Sequence, residues 1–179
     1  MARLVARSAH WFSLTPASYQ FVDLRTQWND DDANWLVVRL EAMLGGREWS
    51  AVDPALQTWD IAALASWCDA MAAGTLMAGN WWSGLEPNIR LEAGEASGGV
   101  RTLFVELAHQ FGPPALPIDQ ELREQMDVER TALESVAGDL RSELRPFPVR
   151  RVRAGRLSRP AARLRGMAVS VACGSRCSP

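Results

Sequence analysis

Hydrophobic and polar positions alternate most clearly over residues 35–44, where Leu36, Val38 and Leu40 face one way and Trp35, Val37, Arg39 and Glu41 the other. That period of two is the signature of a half-buried strand. Gly45-Gly46 and a second short run at 48–52 follow, which predicts a hairpin. Upstream, the aromatic and β-branched runs 11–14 and 19–25 are separated by Thr15-Pro16-Ala17-Ser18, turn chemistry that predicts another hairpin. A third hairpin is predicted around Gly98-Gly99, joining 85–93 to 100–107 after a loop that holds Trp81 and Trp82. Its second strand is apolar on both faces and so belongs inside the sheet.

Between the second and third hairpins the period changes. Ile61, Leu64, Ala65, Cys68, Met71 and Ala72 recur at helical spacing behind Thr58 and Asp60 and before Gly74, which predicts a helix over 59–73 with Thr58 as its N-cap. After Pro113, Pro114 and Pro117, the positions Leu122, Met126, Leu133, Val136, Ala137, Leu140 and Leu144 predict a long amphipathic helix over 119–144, stopped by Pro146. The order ββββ-α-ββ-α predicts an α+β fold: a largely antiparallel sheet of about six strands with two helices packed on one side.

From Val149 onward the pattern stops. Arg, Pro, Gly, Ala and Ser dominate, with no acidic residue and no sustained period, so 1–150 is expected to be one domain and 151–179 a disordered arginine-rich tail. Such a tail can be an arm for anionic polymers or membranes; the same composition is also what any reading frame of GC-rich DNA yields. All 19 basic residues are Arg, which fits a GC-rich genome and lowers the functional weight of any single arginine. All 21 acidic residues precede Arg145, against 11 arginines up to that point, so residues 1–145 carry a net charge of −10.

With 47% apolar and 22% charged residues the composition is that of a globular protein, and no apolar run approaches the ~20 residues of a membrane span. Arg3 and Arg7 are not followed by the apolar stretch of a secretory signal, and three cysteines without a framework of spacings argue against structural disulfides. Both features predict the cytoplasm.

Catalytic chemistry finds little to stand on. His10 and His109 are the only histidines, no Gly-x-Ser-x-Gly elbow is present, and Cys68 falls on the apolar stripe of its helix. Asp30, Asp32, Asn34 and Glu41 occupy the first, third, fifth and twelfth positions of a calcium loop, but Trp35 stands where the turn needs Gly. Glu86, Glu92 and Glu106 could place carboxylates on neighbouring strands, as any acidic sheet surface can. The expectation is a protein with no enzymatic activity, no cofactor and no metal. All eight tryptophans fall between Trp11 and Trp82; Trp28, Trp81 and Trp82, in predicted loops, are the candidates for exposure.

The sequences DANWL at 32–36 and LEPN at 85–88, the strand VRTLFVEL before Pro113-Pro114, the long helix and the ending Phe147-Pro148-Val149-Arg150 together resemble the WapI family of bacterial immunity proteins. The resemblance covers about 12–150; the arginine-rich extension and the segment before Trp11 fall outside it. It implies a small cytoplasmic protein that binds and neutralises a cognate toxin domain, in some cases a nuclease, with no direct nucleic-acid or membrane partner. An acidic face for a basic toxin domain is expected from Asp30, Asp31, Asp32, Glu86, Glu92 and Glu95, with Trp81 and Trp82 as an apolar patch. The competing reading is a small-molecule or peptide binding module built on the loop tryptophans.

Overall fold

The computed structural model describes residues 1–23, 29–117 and 119–151. Its α+β architecture has eight strands in two four-stranded antiparallel sheets, each in sequence order. The first sheet contains β1 (Ala2–Val5), β2 (Trp11–Tyr19), β3 (Trp35–Leu44) and β4 (Arg47–Gln57), with a one-turn helix α1 (Asp30–Ala33) before β3. Helix α2 (Thr58–Ala73) leads to the second sheet: β5 (Trp81–Ser83), β6 (Ile89–Ser97), β7 (Val100–Ala108) and β8 (Glu121–Glu129). Helix α3 (Arg130–Leu144) follows.

Several predicted elements are corrected. The turn predicted at 15–18 is absent: β2 runs from Trp11 through Pro16 to Tyr19 and pairs with β1, the segment the sequence left unexplained, while 24–25 of the second predicted run lie outside the described residues. Proline is tolerated there because Leu14 is the last residue of β2 paired with β1, and the register to β3 shifts between Pro16 and Ser18. The missing N–H therefore falls on an unpaired edge beside a bulge. The predicted helix over 119–144 is a strand and a helix, β8 and α3. Leu122 and Met126 are four apart, a spacing that fits both periods, but buried Met126 and Val128 are two apart and settle the strand. Pairing with β7 along nine residues outweighs the helical preference of Glu, Leu, Arg, Gln and Met. Strand β6 begins at Ile89, so 85–88 is loop, and the single six-stranded sheet becomes two sheets of four.

The N-cap of α2 is Gln57, whose N–H donates to Asp60 Oδ2 at 2.8 Å, whereas Thr58 is the first helical residue. Gly74 ends α2 at φ +72°, a left-handed position that favours glycine. The Arg101 guanidinium donates to the Met71 and Ala72 carbonyls at the negative end of the helix dipole.

One apolar core joins the inner faces of both sheets to α2 and α3, which pack on each other. The sheets also touch at their margins. Arg7 N–H donates to the Asp127 carbonyl at 2.9 Å, and at the other end a side chain on Gly84 would overlap Leu56 of β4. Among the described residues, no helix is long and apolar enough to cross a membrane.

Candidate interaction surface

The core takes alternate side chains of β5–β8, so the others emerge on a face that no helix among the described residues covers. Cross-strand register sets two rows there: Trp81, Glu92, Phe104 and Gln125, and beside them Ser83, Arg90, Glu106 and Arg123. Opposite charges fall on adjacent strands, the arrangement that stabilises a sheet surface. Arg90 donates to Glu92 and Glu106, each at 3.1 Å, while Arg123 bonds Glu106 and lies 3.3 Å from Glu92. The two guanidinium groups also rest on aromatic rings, Arg90 at 5.3 Å from the Trp81 centroid and Arg123 at 4.5 Å from that of Phe104. Glu106 is buried beneath them at 8% side-chain exposure. Glu92 and Glu106 are thus bridged by the same two guanidinium groups.

The candidate residues do not form one face. Asp30, Asp31 and Asp32 are the acidic first turn of α1, not an open turn, with Asn29 and Asp32 closing a capping box. Asp32 accepts from Asn29 N–H and Asp30 pairs with Arg151 at 3.0 Å, so Asp31 is the exposed member. A run of hydrogen bonds carries this end to the loop after β5. Gln57 Nε2 donates to the Asp31 carbonyl, Gln57 N–H to Asp60, and Asp60 also accepts from Leu85 N–H beside Glu86. Burial raises the Asp60 pKa, opposed by these two N–H groups. Glu92 sits instead in the ionic network of the second sheet, and Glu95 is exposed further along β6.

The tryptophans divide as well. Trp82 is 7% exposed on the inner side of β5, a correction to its predicted loop position, while Trp81, next in the strand, is 58% exposed. Trp28 lies outside the described residues. A pocket lined by loop tryptophans therefore has Trp81 alone among the described residues to draw on. Arg90, Phe104, Glu106 and Arg123, which make the ordered part of the surface, were not singled out as a group; the signal was the cross-strand charge alternation, legible only once register is known.

Among the described residues no group of three or more His, Cys, Asp and Glu side chains could hold a metal ion. In the calcium-like loop the Asn34 amide is spent on Arg150 and Thr58. Burial pushes the Cys68 thiol up to about 12, so thiolate is scarce at pH 8. Native protein treated with iodoacetamide at that pH is expected to leave Cys68 unmodified by peptide mapping, and to label it fully once unfolded. Rapid native labelling would show that the α2 face opens.

Residues 3–148 match the family model described as Immunity protein WapI-like family. No curated protein and no solved structure matches the chain.

Proposed function

The chain belongs to the immunity protein WapI-like family, and on that premise we propose that it is a non-catalytic cytoplasmic protein that binds and neutralises a cognate toxin domain. The family match across residues 3–148 carries this reading. Charge supports it: residues 1–145 carry a net −10, set against eight arginines beyond them that bring the whole chain to −2, and an acidic surface of that kind speeds encounter with a cationic protein by up to ~10–10³-fold at low salt. A nuclease toxin is such a partner, because its substrate groove must be positive, and an acidic blocker competes there with phosphate. The exposed carboxylates of Asp31, Glu86 and Glu95 are available for steering without breaking an ion pair among the described residues.

Association with a cognate toxin domain, followed by stopped flow, is expected to slow about tenfold from low to physiological salt. The triple variant Asp31→Asn, Glu86→Gln, Glu95→Gln should reproduce much of that slowing in low salt. Tight binding indifferent to both would move the affinity to an apolar contact. No binding at any salt would remove the immunity reading for that partner.

A further inference from the structure

The outer faces of the two sheets use their charges differently. On the second sheet Arg90 and Arg123 are matched by Glu92 and Glu106. On the first, the core takes Leu36, Val38, Leu40 and Ala42 of β3, so Val37, Arg39, Glu41 and Met43 point outward. The side chains of Arg39 and Glu41, and of Glu48 beside Met43 on β4, make no ion pair or hydrogen bond among the described residues. Apolar surface lies beside them. Val52, level with Arg39, is 56% exposed, and Val5, in the row of Trp11 and Met43, is 47% exposed. Unmatched charges of both signs among exposed apolar side chains, on one face of a rigid sheet, mark a surface shaped for a partner.

The partner must bring an anion to Arg39 and a cation to Glu41, two residues along the same strand. This chain carries both, in the order that its own face requires. We propose that the face is the interface between two copies of the chain, stacked about a two-fold axis that crosses the strands at the level of Leu40. Such an axis reverses each strand on its counterpart, an arrangement open to aligned sheets ~10 Å apart. Arg39 of each copy then meets Glu41 of the other, so one contact is made twice, as a self-complementary interface demands. Val37 meets Met43 of the second copy, apolar against apolar. Relief follows the same symmetry: Val52 projects on one side of the axis, and on the other, where the axis brings it over Ser50 of the second copy, the surface sinks into a hollow of about 340 Å³ lined by Trp11, Glu41, Glu48, Trp49 and Ser50. Arg3, 3.6 Å from the Trp11 ring centroid, stiffens the wall of that hollow. With strands ~4.8 Å apart and a rise of ~3.3 Å per residue, each face offers roughly 500 Å², so the pair buries about 1,000 Å², the least that a specific interface needs. The dimer is therefore weak and reversible, and the whole chain's net charge of −2 opposes it little.

Sedimentation velocity on the full chain tests this, over a dilution series reaching ~200 µM, where an interface of this size is populated. The wild-type chain should pass from monomer to dimer across the series. Arg39→Glu sets Glu against Glu41 at both symmetric contacts, and Glu41→Arg sets Arg against Arg39; each should weaken the dimer by at least about thirtyfold. The double variant Arg39→Glu, Glu41→Arg restores opposite signs at both contacts and should dimerise again. An equimolar mixture of the two single variants should form a dimer that neither forms alone, which also shows that both are folded. Val52→Asp, which sends a carboxylate into a hollow already holding two, should dissociate the wild-type pair. A chain that stays monomeric throughout the series would overturn the proposal, as would a dimer that survives both single charge reversals. Loss in the single variants without recovery in the double variant and the mixture would overturn it too, because the pairing of Arg39 with Glu41 is what fixes the axis.

Discussion

Replacing Glu106 by alanine is expected to lower the melting temperature by about 4–8 °C, a loss of roughly 2 kcal/mol in a domain of this size. The carboxylate is buried at 8% side-chain exposure and accepts from two guanidinium groups, those of Arg90 and Arg123. Deleting one partner of a fully buried ion pair costs ~3–5 kcal/mol, and of an exposed one ~0–1. Arg90 and Arg123 are 39% and 40% exposed, so water recovers part of their solvation and the value falls between these limits. Glu92 remains within reach of both arginines and recovers a further part. The double variant Glu106→Ala, Arg123→Ala should lose less than the sum of the two single changes, because the pair is removed together. A melting temperature within 1 °C of wild type for Glu106→Ala would show that the network orders the surface without stabilising the fold.

That network also marks where reading the sequence stops. Alternation is a property of one segment, and β3 was legible from residues 35–44 alone. So was α2, whose apolar spacing and Gly74 stop need no partner. Strand β8 was not, because an apolar spacing of four is shared by both periods and pairing with β7 decides between them. β1 was missed for a related reason: four residues with two buried positions, Ala2 and Leu4, carry too little pattern until β2 lies beside them. The α+β class and the alternation of hairpins and helices survived these errors, since they depend on how many segments alternate more than on where each ends. The surface fared worse. Acidic residues could be counted, but whether Asp31 and Glu92 share a face depends on how the two sheets meet. Trp81 and Trp82 are adjacent letters whose exposures, 58% and 7%, differ because β5 is a strand.

Asn34, within the DANWL sequence, shows the same limit and gives the larger stability prediction. Its side chain is fully buried and makes four hydrogen bonds: Nδ2 donates to the carbonyls of Asp30 at 2.6 Å and Arg150 at 2.8 Å, and Oδ1 accepts from Arg150 N–H at 2.8 Å and from Thr58 Oγ1 at 3.2 Å. The amide thus holds both backbone groups of Arg150, 116 residues away, as a neighbouring strand would. Other contacts close the same joint. The Arg150 guanidinium lies 3.5 Å from the Tyr19 ring centroid and donates to the Phe21 carbonyl, while Tyr19 bonds the Pro148 carbonyl and meets Phe147 edge-on. Each internal hydrogen bond contributes about 1 kcal/mol, and a buried group left unsatisfied costs ~1–3. Asn34→Ala should therefore destabilise by about 3 kcal/mol, a fall of roughly 6–12 °C, and should speed hydrogen exchange at the Arg150 amide more than at the core of β3. Asn34→Asp is informative beside it, because it keeps Oδ1 as an acceptor for Arg150 N–H but loses the Nδ2 donor to two carbonyls and brings a charge into a buried site; it should be at least as damaging. Removing residues 152–179 leaves every one of these bonds in place and is expected to leave the melting temperature within about 1–2 °C of the full chain, whereas removal from Phe147 onward should approach the Asn34→Ala loss. An Asn34→Ala protein that melts like wild type, or a large loss on removing 152–179 alone, would show that the folded unit does not close at Arg150.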